Sequence, residues 1–70
     1  MNFIVIIQIC SAVFMECGNP TAIYPPYNTW NNCIQSGYEH SLNVVKDLGK
    51  EEINKNKIMI TFKCEELTSS

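Results

Sequence analysis

A chain of 70 residues forms at most one domain, and a domain this short buries only about 60% of the surface that its unfolded chain exposes. Five lysines, no arginine and seven carboxylates give a formal charge of -2, which argues against the phosphate neutralisation and bidentate base contacts of a nucleic-acid binder. Burial at roughly 25 cal/mol per Å² is nearly cancelled by an ordering cost of about 1.5 kcal/mol per residue, so a chain of this size needs a staple, and the cysteines are its candidates.

The run Met1 to Met15 carries no charge. It is too short to span a bilayer, which takes about 20 apolar residues. As a secretion signal it has the apolar stretch Phe3 to Ile9, but no Lys or Arg precedes that stretch, Gln8 interrupts it, and Ser11-Ala12 is a poor cleavage site. A lipoprotein reading fails because Ile9 and Glu16 precede the cysteines where a small residue belongs. The segment is therefore read as structure, with a cleaved signal over residues 1–15 as the alternative. Phe3 to Cys10 is rich in β-branched residues and almost continuously apolar, which predicts a strand over about 3–12 covered on both faces. Gln8 is expected to be a structural amide near its end rather than a ligand.

From 17 to 28 the sequence Cys-Gly-Asn-Pro-Thr-Ala-Ile-Tyr-Pro-Pro-Tyr-Asn predicts a Pro-rich loop of polyproline character. Tyr24 and Tyr27 are expected to lie over the core as a lid. If displayed instead, they form with Trp30 an aromatic contact set.

A helix over about 29–48 follows. Asn28 or Thr29 supplies the N-cap, Lys46 lies in the last turn, and Gly49 stands at the C′ position. At 100° per residue, Trp30, Cys33, Ile34, Gly37, Ser41, Val44, Val45 and Leu48 share one face, which is expected to pack. A mid-helix glycine at 37 costs about 1 kcal/mol against Ala and predicts a close backbone approach. Glu39 and His40 are expected to point away from this face onto the solvated helix surface, and adjacent helical positions do not face each other. With no nucleophile in sequence reach, no catalytic site is assigned.

Lys50 to Lys57 is polar apart from Ile53, which predicts a helical turn or loop anchored by that side chain. Over about 57–65, Ile58, Ile60, Phe62 and Cys64 alternate with Met59, Thr61 and Lys63, the pattern of a half-buried strand, and 66–70 is expected to fray. The order strand, loop, helix, strand predicts an α+β fold: a disulfide-stapled βαβ unit with one helix on a two-stranded sheet, its strands parallel in a right-handed crossover. Two strands are marginal alone, so pairing of a free strand edge with a second copy is the alternative source of stability.

The cysteines stand at 10, 17, 33 and 64, with no close pair. That spacing and the lone histidine argue against structural zinc and for two disulfides. The predicted topology brings Cys17 to Cys33 at the helix start and Cys10 to Cys64 on neighbouring strands. Each bond is worth about 2 to 4 kcal/mol. Four buried thiols in a reducing compartment are the alternative.

The succession of an apolar start, Cys10, Cys17, a Pro-containing loop, Thr29-Trp30 before Cys33, Gly37-Tyr38, Asn54 and Phe62-Lys63-Cys64 resembles small four-cysteine proteins of uncharacterised role encoded by marine bacteriophages. The resemblance covers nearly the whole chain and implies a viral origin and cysteine pairing, without a mechanism. The expected function is a non-enzymatic interaction module, a phage accessory or virion-associated protein in an oxidising setting, with an unidentified protein partner, no cofactor and no metal. A thiol-active or redox-sensing protein is the alternative, with the Cys33 thiolate favoured by the helix dipole and Cys17 as its resolving partner. A membrane-peripheral role lacks the basic polar face that anchors such segments.

Overall fold

A computed structural model describes residues 2–67. Six elements follow in order: β1 (Asn2–Ser11), β2 (Glu16–Cys17), β3 (Thr21–Tyr27), α1 (Trp30–Leu48), α2 (Lys50–Asn56) and β4 (Ile58–Leu67). The fold is α+β, a long and a short helix with an antiparallel four-stranded sheet and two disulfides.

The apolar run near the N-terminus is the central strand. Along one edge β1 pairs with the whole of β4, from Asn2 opposite Leu67 to Ser11 opposite Ile58. On its other edge it pairs with β3, from Phe3 opposite Tyr27 to Ile7 opposite Thr21, and then with β2 at Cys10 and Ser11. Pairing on both edges makes this strand the centre of the sheet, and Ile4, Val5 and Ile7 are buried.

Two expectations about the sheet are corrected. It has four strands, not two, and β1 and β4 are antiparallel, not parallel. The cause is the segment expected to be a loop. Thr21–Tyr27 forms an edge strand despite Pro25 and Pro26, because an edge strand needs ladder bonds on one side only and a register shift lies between Phe3 and Val5, opposite those prolines. The Tyr24-Pro25 peptide is cis. The chain thus runs up β1, down β3, up α1 and down β4. One extra strand reverses the parity of the crossover.

Thr29 caps α1 by accepting a hydrogen bond from the Asn32 N–H at 3.2 Å. Gly49 ends it with φ 84° and ψ 154° and at once begins α2, in which Ile53 is half-buried. The packed face of α1 is rotated from the expected one. Cys33, Ser36 and Gly37 are buried, whereas Trp30, Val45 and Leu48 are exposed. His40, expected to face solvent, is half-buried one turn beyond Ser36, while Glu39 is exposed. The neighbour that requires glycine at 37 is a side chain, not a backbone: a Cβ there would overlap the Phe62 ring. Glu66 and Leu67, expected to fray, belong to β4. The rest of the expected tail, 68–70, lies outside the described residues.

The disulfides join Cys10 to Cys17 and Cys33 to Cys64, which replaces the expected pairing of 17 with 33 and 10 with 64. In the antiparallel sheet Cys10 is directly opposite Cys17. Cys64 lies beside Val5 on the helix-covered face, where Cys33 reaches it. Cys10 lies beside Met59, on the opposite side of the pleat from Cys64. Two closed disulfides are the pattern of an oxidising, extracellular-type environment. Among the described residues no helix is long and apolar enough to cross a membrane.

Candidate functional site

Local chemistry picks out the reversal between β1 and β2. Ala12, Val13, Phe14 and Met15 make this turn with no Gly, Asn, Asp or Pro among them, so Met15 itself takes the positive-φ position, at 55°. Such a turn is poorly specified by its own residues. Its surroundings hold it instead. The Cys10–Cys17 disulfide closes its base across a Cα separation of 3.9 Å.

Hydrogen bonds fix the same base. The Ser11 hydroxyl donates to the Asn56 carbonyl at 2.7 Å and accepts from the Phe14 N–H at 3.2 Å. The Ala12 N–H donates to the Lys57 carbonyl at 3.1 Å, and the Gly18 N–H donates to the Ile9 carbonyl at 2.8 Å. Gln8 donates from its amide to the Gly18 carbonyl at 2.9 Å, the structural part expected of it. While the backbone is held, the side chains project: Val13 is 53%, Phe14 65% and Met15 88% exposed. Met15, Cys10, Cys17 and Met59 line an apolar cleft on one side of the tip. Phe14, Ile9 and Ile58 line another.

The aromatic contact set expected from the sequence is divided. Tyr27 is half-buried, and its hydroxyl accepts a 2.6 Å hydrogen bond from Ser36, so it ties β3 to α1. Trp30 stacks edge-on against Phe3 with ring centroids 5.6 Å apart, yet remains largely exposed. Tyr24 is exposed rather than a lid. It follows Ile23, which pairs with Val5 on the helix side, so strand alternation turns Tyr24 to the other face. The three do not form one patch.

Cys33 and Cys17 are not brought together. Cys33 is 0% exposed and bonded to Cys64, and Cys17 is bonded to Cys10. No group of three or more His, Cys, Asp or Glu residues with metal-binding geometry occurs among the described residues.

The tip was not singled out from the sequence. Its signal is an apolar stretch without turn residues between cysteines only seven positions apart, which asks what holds the turn and why it is apolar. Comparison with known proteins places the chain in no group: no family model, no curated protein and no solved structure matches it.

Proposed function

We propose that this protein is a non-enzymatic interaction module that presents the stapled tip Val13-Phe14-Met15 to a protein partner. The observation that carries this reading is the combination of a backbone fixed by a disulfide and hydrogen bonds with three adjacent apolar side chains left in solvent. Exposing them costs solubility without contributing to the core. Fixing them beforehand lowers the ordering cost of binding.

A projecting apolar tip fits a concave apolar pocket, with Phe14 as the anchor. A protein is favoured over a lipid surface because Glu16 follows the tip, residues 1 to 15 supply no Lys or Arg, and Lys57, which meets Ala12 at the base of the tip, turns its ammonium back onto the Asn54 carbonyl, whereas interfacial anchors pair apolar residues with free basic ones. The four-cysteine resemblance implies a phage product, and on that reading the partner is a virion or host-surface protein.

The test is a photo-reactive phenylalanine analogue placed at position 14 in the producing system, with the same analogue at Glu39 as control. A discrete protein adduct from position 14 that disappears when Met15→Ser is added supports the module. Adducts to lipid would transfer the tip to a membrane surface, and identical patterns from both positions would remove its role.

A further inference from the structure

A second apolar surface, remote from the tip in sequence, lies along β4 and α1. Among the described residues no strand pairs with the outer edge of β4, which is ten residues long. Above that edge α1 shows an apolar row in solvent: Tyr38 is 68% exposed, Leu42 is 54% exposed, and Val45 follows one turn on.

The row is on the β4 side of the helix. Tyr38 packs edge-on against Phe62 of β4, with centroids 4.9 Å apart, whereas Ser36, on the other flank, bonds Tyr27 of β3.

We propose that this surface binds a second copy of the chain, with β4 pairing antiparallel to its counterpart about a two-fold axis at Thr61. Side-chain chemistry selects that register. An axis at Thr61 sets Ile60 beside Phe62 on the helix-covered face, and brings Lys57, the residue just before β4 whose ammonium bonds the Asn54 carbonyl within the chain, opposite Glu65 of the second copy twice over, so that Glu65, paired with Lys63 within the chain, gains a second cation. An axis at Ile60 would oppose Lys57 to Lys63, and an axis at Lys63 would oppose that lysine to itself, and like charges directly opposite are unfavourable; an axis at Phe62 opposes no like charges but matches no opposite ones either, setting Glu65 against Met59 and Lys63 against Thr61. An axis at Cys64 would match Lys63 with Glu65 but would leave the row on α1 outside the interface.

The helices agree with the same axis. Cys33 meets Cys64 and Gly37 meets Phe62, so α1 ascends as β4 descends, and one further helical turn brings Leu42 to the level of Ile60. A two-fold axis at Thr61 therefore sets Tyr38 against Leu42 of the second copy. With strands spaced about 4.8 Å apart and α1 lying over both β1 and β4, the two copies of α1 come to about 10 Å, the upper end of the range for packed helices.

The oxidised full chain is to be examined by sedimentation equilibrium. The expected mass is twice the 8.0 kDa of one chain, falling on dilution. Leu42→Lys should weaken the dimer about tenfold or more by placing charge in the apolar contact, with the monomer fold retained by circular dichroism. Glu65→Lys should weaken it by about tenfold, and adding Lys57→Glu should restore it, since only the Thr61 axis opposes these positions.

A mass of one chain up to about 1 mM, too weak for a specific interface, would overturn the proposal. So would a dimer indifferent to Leu42→Lys. Failure of Lys57→Glu to rescue Glu65→Lys would overturn the register.

Discussion

At the residue scale the tightest constraint is Gly37. A Cβ on it would enter the Phe62 ring, which is itself held by Tyr38. Alanine has the better helix propensity by about 1 kcal/mol, yet overpacking costs about 1 to 3 kcal/mol, so Gly37→Ala is expected to lower stability by about 1 kcal/mol net. Urea midpoints measure this. In a Phe62→Leu background the same change should become neutral or stabilising, and a constant cost in both backgrounds would show that the ring is not the obstacle. The glycine stands out in the helix pattern, but the atom facing it does not, because Phe62 is 25 positions away.

At the element scale the helix ends are set locally and the helix face is not. Thr29 and Gly49 cap α1 where the sequence places the caps, since capping is chemistry within four residues. Gly49 has φ 84° and ψ 154° with nothing within 4 Å of its ideal Cβ, so any penalty for a side chain there comes from the backbone alone. Gly49→Ala should cost about 1 to 3 kcal/mol, read as a lower thermal midpoint. An unchanged midpoint would mean that the α1–α2 joint relaxes freely. The buried face, by contrast, is chosen by what the sheet offers. Cys33 is drawn in by Cys64 and Gly37 by Phe62, so Ser36 is buried and Val45 and Leu48 are left outside. Periodicity alone weights these apolar positions equally.

At the scale of the whole molecule, stability rests on the two disulfides unequally. The fully buried side chains are few, with Val5 and Cys33 the largest of them. In the chain-entropy account a loop closed across a separation of 31 residues contributes about 3.7 kcal/mol, and one across 7 about 2.5 kcal/mol. Removing Cys33–Cys64 also takes a residue from the core. The pair Cys33→Ala with Cys64→Ala is therefore expected to lose cooperative thermal unfolding followed by far-UV circular dichroism. The pair Cys10→Ala with Cys17→Ala should keep a cooperative transition at a lower midpoint while its tip amides exchange faster. The opposite ranking would mean that the hairpin staple, not the helix staple, organises the fold.

The amino-acid order by itself determined the apolar strand β1, the alternation of β4, the capped helix between them and the need for cysteine staples. Each is legible because it depends on side-chain period or chemistry within a few neighbours. Only the tertiary structure decided strand direction, disulfide partners, the packed face of α1 and the exposure of Val13, Phe14 and Met15. The first three follow from one non-local event: Thr21–Tyr27, with its two adjacent prolines, pairs with the edge of β1. That pairing sends the chain down once more before α1, which makes β4 antiparallel, sets Cys10 opposite Cys17, and leaves Cys64 for Cys33. The gain from pairing at a sheet edge lies in its partner strand, not in the propensities of the segment that pairs.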